Sequence, residues 1–142
     1  MADELLQNVI DFQAVNERMC VLRVRGRWFN LSFINIHAPT EEKSDAVKDE
    51  FYESLDTIYD RCPPDDVKIV LGDCNAKIGR EEGLFPFIGR HSLHQESNDN
   101  GLRIANFAAS RNMSVKSTMF PHRDIHKGTW RSPDGKTINQ ID

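Results

Sequence analysis

No stretch of this 142-residue chain approaches the roughly 20 consecutive apolar residues needed to span a bilayer, and no basic segment leads into an apolar run at its start. The expectation is a soluble, intracellular protein with no membrane partner. Cysteine is scarce: Cys20, Cys62 and Cys74 are odd in number and fit no zinc-ligand spacing. That speaks against a disulfide framework and for a reduced compartment in which the thiols act as small hydrophobes. Internal repeats and low-complexity tracts are absent, as is any dense Lys/Arg cluster that would serve as a nuclear signal. Basic charge is in deficit, with 18 Lys and Arg against 22 Asp and Glu. Such a balance disfavours gripping nucleic acid by bulk electrostatics, because backbone affinity scales with the number of phosphates neutralised. It leaves room for an enzyme acting on phosphodiesters, where a bound cation supplies the local positive charge. No HExxH or His/Cys ligand spacing occurs, and His91, His94, His122 and His126 read as solvated loop residues.

What is present reads as one α/β domain, since a chain of this length buries roughly 68–70% of its extended surface. Cys20–Arg25 alternates apolar and basic residues, Gly26 follows, and Trp28–His37 continues in β-type residues, which predicts a two-stranded hairpin. Pro39 ends the second strand and Thr40 offers a cap, so a helix is expected over 41–61 with Val47, Phe51, Leu55 and Ile58 on its apolar face. Cys62-Pro63-Pro64-Asp65 stops it, and Val67–Leu71 predicts a strand. The order strand, helix, strand is an α/β signature. A long irregular stretch with Gly79, Gly83, Pro86 and Gly89 follows, of the kind that is functional or mobile in compact domains. Ser97-Asn98-Asp99-Asn100-Gly101 has the chemistry to cap a second helix bearing Leu102, Ile104, Ala105, Phe107, Ala108 and Ala109. Met113–Thr118 predicts another strand, and Gly128–Asp142 a hairpin around Pro133-Asp134-Gly135.

The run Val70-Leu71-Gly72-Asp73-Cys74-Asn75-Ala76 carries the strongest chemical signal. It delivers a glycine, a carboxylate and a carboxamide to a strand's carboxyl end, where α/β sheets place their sites. Asp73 and Asn75 point to one side if the chain is extended there, an arrangement suited to orienting a water at a phosphoester. Asp and Asn are equally common at strand-to-turn junctions for local hydrogen bonding. His37 and Asp142 also stand where apolar strands run out, as candidates beside the ordinary roles of surface histidine and terminal acid. Trp130 reads either as a cross-strand partner or as a cleft-lining side chain.

Four blocks occur together in order: Asn35-Ile36-His37-Ala38-Pro39-Thr40, Leu71-Gly72-Asp73-Cys74-Asn75-Ala76, Ser97-Asn98-Asp99-Asn100-Gly101, and Thr129-Trp130 followed by Asn139-Gln140-Ile141-Asp142. In this the chain resembles the endonuclease/exonuclease/phosphatase superfamily. More narrowly it resembles the endonuclease domain of non-LTR retrotransposons and of the craniofacial development protein 2-like sequences that share it. The resemblance implies a two-sheet α/β sandwich, like deoxyribonuclease and apurinic endonucleases, that cleaves DNA phosphodiester bonds with Mg²⁺ or Mn²⁺ and works in the nucleus. It also implies that Asp73 orients or deprotonates the attacking water and touches the metal, and that Asn75 holds the water or the phosphate. By the same resemblance His37 contacts the phosphate, Asp142 orients a catalytic histidine, and Asn98, Asn100 and Trp130 lie on the substrate side. Cys74 stands where an apolar Phe or Leu is usual, in an expected core position.

The family's upstream Asn and metal-binding Glu have no counterpart before Asn8, and its downstream Asp-His pair lies beyond Asp142. The expectation is a divergent tail over 1–7 and a partial domain over 8–142, truncated at both ends, with at most residual nicking activity. Missing strands would leave exposed sheet edges open to self-association. Glu4, in a helix-like tail, is a poor substitute ligand. Two alternatives stand beside impaired endonuclease: a non-catalytic protein-interaction remnant of the same fold, and a phosphatase of the same superfamily.

Overall fold

β-branched and aromatic residues recur from Val9 to Ile36, and this stretch forms three consecutive antiparallel strands. These are β1 (Val9–Asn16), β2 (Met19–Val24) and β3 (Leu31–His37). The computed structural model describes residues 6–141, so Glu4, the start of the 1–7 tail and Asp142 lie outside the described residues. The chain divides into two units, Met1–Ala38 with Ala46–Gly72, and Pro39–Asp45 with Asp73–Asp142. Helix α1 (Asp45–Arg61) leads into β4 (Val67–Asp73), and the sheet order is β1-β2-β3-β4. At the start of β4 the Val67 amide bonds the Asn30 carbonyl at 2.9 Å, and near its end Gly72 lies against Ile36. β4 therefore runs parallel to β3, as a strand–helix–strand crossover requires. Gly72 has φ +124°, and a Cβ there would stand 2.0 Å from the Ile36 carbonyl oxygen, so only glycine fits.

The predicted hairpin is present with a longer connection, 25–30, and β1 adds a strand that the sequence pattern did not announce. β1 is exposed at nearly every position, so no burial alternation marks it. Helix α1 begins at Asp45 rather than after Thr40, because residues 40–43 close a turn through Lys43 N–H to Thr40 O at 3.0 Å. With that start, Lys48, Phe51, Leu55 and Ile58 make the buried stripe, and Val47 stays exposed. Met19, Ile34 and Ile36 supply buried residues from the strands of the same unit.

One buried carboxylate ties this unit together. Asp66 accepts Arg23 Nε at 2.7 Å and Nη2 at 2.9 Å, and Ser32 Oγ donates to it at 2.7 Å. The Arg23 guanidinium, with the Ser32 hydroxyl adding, holds the Asp66 carboxyl below the usual carboxylate range. Burial pushes the neighbouring Cys62 thiol up, as suits a structural thiol, and none of Cys20, Cys62 and Cys74 is in a disulfide.

In the second unit helix α2 (Asp99–Ser110) buries Ile104, Ala105, Phe107 and Ala108 on one face, while Leu102 is exposed. Its end departs from the expected strand over 113–118. Asn112 turns left-handed at φ 52°, with Asn112 N–H to Ala109 O at 3.2 Å and Met113 N–H to Ala108 O at 2.8 Å. That is a Schellman closure with Asn in the glycine position, and it redirects the chain into a short 3₁₀ turn at Lys116–Thr118. The long segment before α2 is irregular, as expected, with one 3₁₀ turn at Glu82–Leu84. Side chains anchor it: Glu81 accepts both the Ser97 N–H and its hydroxyl, and Arg80 Nε donates to the Ser92 carbonyl at 2.9 Å. β5 (Trp130–Arg131) and β6 (Ile138–Asn139) form the expected hairpin, shorter than its sequence suggests, around a turn closed by Gly135 N–H to Ser132 O at 2.8 Å. The result is a mixed α/β fold with one four-stranded and one two-stranded sheet. Among the described residues no helix is long and apolar enough to cross a membrane.

The Asp66 cluster makes acid stability a direct test. A carboxyl whose pKa is lowered by folding stabilises the protein above its unfolded pKa of about 3.9 and loses that contribution as pH falls through the folded value. Urea titrations of wild type and Asp66→Asn should differ most at neutral pH, with the gap starting to shrink below about pH 4 and closing as pH falls through the lowered folded value; a gap independent of pH would contradict this.

Candidate functional site

Gly72 turns the chain at the end of β4, and the next residues leave the sheet as a tight polar turn. Asp73 is exposed, and its Oδ1 accepts the Asn75 N–H at 2.8 Å, an Asx turn of the kind Asp favours after a strand. Asn75 is left-handed at φ 47°, which Asn tolerates better than other non-glycine residues. The two side chains thus sit on a turn rather than on an extended strand, so the expected same-side geometry gives way to a local hydrogen-bonded one.

Asn100 holds this turn from behind. It is 1% exposed, and its Nδ2 donates to the Asn75 carbonyl and to the Pro39 carbonyl, each at 2.9 Å. One carboxamide therefore joins the segment that follows β3 to the one that follows β4. Asn98 is the N-cap of α2, as its sequence context predicts, and its Oδ1 accepts Gly101 N–H at 2.8 Å and Lys77 N–H at 3.0 Å. Glu41 completes the cap, with Oε1 accepting Asp99 N–H and Oε2 accepting Asn100 N–H, both at 3.1 Å. The amides of Asp99, Asn100 and Gly101 are thereby taken by protein oxygens, and a carboxylate already sits where the helix dipole favours negative charge. A Cβ on Gly101 would stand 1.9 Å from the Lys77 carbonyl oxygen, so the helix start docks directly on the 75–77 backbone.

Further along, Ala76 N–H donates to the Ile141 carbonyl at 3.1 Å, which brings the end of the chain beside the Asp73–Asn75 turn. Trp130 lies in β5 opposite Asn139 and is 41% exposed. His94, expected to be solvated, is half-buried with Nε2 3.2 Å from Gln140 O and 3.3 Å from Gln140 N, and burial pushes its pKa down. Gln140 Oε1 also accepts the Leu93 N–H at 3.0 Å.

Asp73, Asn75, Asn98 and Asn100 are thus connected in one network in the second unit, and Trp130 shares that unit. His37 closes β3, exposed, with its N–H on the Arg18 carbonyl at 2.9 Å. Asp142 lies outside the described residues. Glu41, His94 and Gln140 were not anticipated. Glu41 in particular reads in sequence as the first turn of the preceding helix, and its partners are 58 and 59 residues away.

A divalent ion meets an incomplete donor set. Asp73 is an exposed carboxylate, but among the described residues no group of three His, Cys, Asp or Glu gathers to hold a metal. Magnesium asks for near-octahedral oxygen ligation, so these residues do not fit a protein-built site. The chemistry available here is that of an exposed carboxylate beside a constrained carboxamide, able to orient a water and to meet an anion's oxygens.

The fold and turn define a mixed α/β domain whose polar residues gather where strand β4 ends. No protein-family model matches the chain. Craniofacial development protein 2 from Tragulus javanicus is 35% identical over 143 aligned residues, which span the whole chain and 25% of that protein. Its counterpart from Bos taurus is 35% identical over 134 residues, 94% of the chain and 22% of that protein. The chain is homologous to craniofacial development protein 2 and spans about a quarter of the length of these curated relatives.

Asn100→Asp exchanges two donors for acceptors that face two carbonyls, at an expected cost of about 3 kcal/mol or more. Chemical denaturation checks it against Thr40→Ala, an exposed neighbour expected to change stability by less than about 0.5 kcal/mol. Equal effects would contradict the bridging role.

Proposed function

We propose that this chain is an endonuclease-type domain acting on DNA phosphodiester bonds, with low activity on its own. The Asp73–Asn75 turn is the observation that supports the reading most. In this reading the Asp73 carboxylate orients a water and takes its proton as the water's oxygen bonds to phosphorus, the Asn75 carboxamide donates to a phosphate oxygen as negative charge develops there, and the ester P–O bond opposite the water breaks, its sugar oxygen leaving with a proton from solvent. Asn100 acts as a positioning residue, since it grips the Asn75 carbonyl. The roles of His37, Asp142, Asn98 and Trp130, and a nuclear location, rest on the family resemblance. Low activity is part of the proposal because, among the described residues, no group of three His, Cys, Asp or Glu gathers at Asp73, and removing members of a cooperative catalytic set costs orders of magnitude in rate. Mg²⁺ or Mn²⁺ belongs to the proposal as the ion the assay varies.

A second reading, a non-catalytic interaction domain, is favoured by one observation. The Asn98 side-chain oxygen and the Asn100 amide nitrogen are engaged with the protein's own backbone, each with two partners.

Nicking of supercoiled plasmid separates the two. The proposal expects weak nicking with Mg²⁺ or Mn²⁺ that disappears with EDTA and in Asp73→Ala. Absence of nicking, or nicking that survives in Asp73→Ala, would overturn it.

A further inference from the structure

Gln140 and Ile141, which follow β6, are held between two backbone segments of the second unit. On one side the Ala76 N–H, directly after the Asp73–Asn75 turn, donates to the Ile141 carbonyl at 3.1 Å, and Ala76 is fully buried. On the other side the Leu93 N–H donates to Gln140 Oε1 at 3.0 Å, and the His94 ring meets the Gln140 backbone, with Nε2 3.3 Å from its nitrogen and 3.2 Å from its oxygen. The two sides are themselves joined. His94 N–H donates to Ser92 Oγ at 3.1 Å, and the buried Ser92 hydroxyl donates to the Ile78 carbonyl, two residues past Ala76. From the β5 side Thr129 Oγ1 accepts the Ile141 N–H at 3.1 Å.

One ring nitrogen serves one of the two Gln140 groups at a time: its lone pair takes the N–H, and a proton on it takes the carbonyl. A buried N–H without a partner is rarer than an under-satisfied carbonyl, so the favoured pairing is the neutral ring that accepts from the Gln140 nitrogen. We infer that His94 is a positioning residue of the candidate site: in its neutral form it clasps Gln140 and Ile141 beside the Asp73–Asn75 turn, and protonation of the ring opens the clasp. The effect passes from His94 to Gln140, along the chain to the Ile141 carbonyl, and across to the Ala76 amide at the foot of the turn. Its bearing on catalysis rests on the nuclease reading above, whereas the clasp itself does not.

The surroundings of His94 set the direction of the response. Burial pushes its pKa down, the hydrogen bond to the Gln140 backbone resists, and Lys77, on the segment after the turn, adds to the fall. Arg80 bonds the carbonyl of Ser92, two residues before His94, Glu96 is exposed two residues after it, and Asn139, Gln140 and Ile141 bring no charge. A histidine whose folded pKa lies below its unfolded value of about 6.5 contributes fully above that value and loses the contribution as pH falls through the folded pKa. The clasp is therefore closed at neutral pH and opens in mild acid.

Residue-resolved amide hydrogen exchange of the whole chain at about pH 8 and about pH 5, each rate divided by its intrinsic value, tests this. In wild type the Ala76, Leu93 and Gln140 amides should lose at least about 3-fold in protection at the lower pH, while the Met113 amide of the same unit, bonded to the Ala108 carbonyl, keeps its own. His94→Gln supplies an acceptor oxygen that does not titrate and should keep the three amides protected at both pH values; His94→Ala should leave them weakly protected at both. Protection independent of pH in wild type, or an equal loss in His94→Gln, would overturn the proposal. On supercoiled plasmid with Mg²⁺, the ratio of wild-type to His94→Gln nicking should fall at least about 3-fold from about pH 8 to about pH 5, since dividing by the variant cancels the titration of Asp73. A flat ratio would overturn the positioning role. Absence of nicking at every pH would defeat the nuclease reading instead, and the exchange pattern would then decide the clasp.

Discussion

A single buried carboxamide governs the candidate site. Asn100 spends its donors on two carbonyls that belong to different chain reversals, one after β3 and one after β4. Backbone carbonyls taken from water need partners, and a side chain that serves two of them at once fixes their separation. Around that point Asn98 caps the helix, Glu41 satisfies two more amides, and Gly101 lets the helix start touch the Lys77 backbone. The Asp73–Asn75 turn inherits its shape from this framework.

The same framework limits what the site can be. A helix N-terminus in open contact with solvent attracts phosphate, but here Glu41 and Asn98 have filled it, so the start of α2 is a structural joint. In the proposed reading, contact with a phosphate therefore falls to the side chains of the turn itself. Homology to craniofacial development protein 2 over the whole chain links this arrangement to a longer protein of which the chain spans about a quarter.

Local chemistry was legible in the sequence wherever a short stretch determines its own structure. The Asn98 cap, the Pro-Asp-Gly hairpin and the β4 strand with its polar end were all readable, because caps, turns and apolar strands carry their signals within a few residues. Contacts between distant residues were not readable. Glu41 looks like the start of α1 until its partners at Asp99 and Asn100 are seen, and His94 looks solvated until Gln140 arrives beside it. β1 gave no signal because it buries little, and the strand expected over 113–118 failed because Asn112 took a left-handed turn that its propensity permits but its pattern does not reveal.

Hydrogen exchange of the turn in wild type and Asn100→Ala tests most directly whether Asn100 holds the site. The Asn75, Ala76 and Lys77 amides, bonded to Asp73, Ile141 and Asn98, should exchange at least about 10-fold faster in the variant, while amides in β2 and β3 keep their wild-type rates. Unchanged exchange at Asn75–Lys77 would mean that the turn stands without its carboxamide bridge.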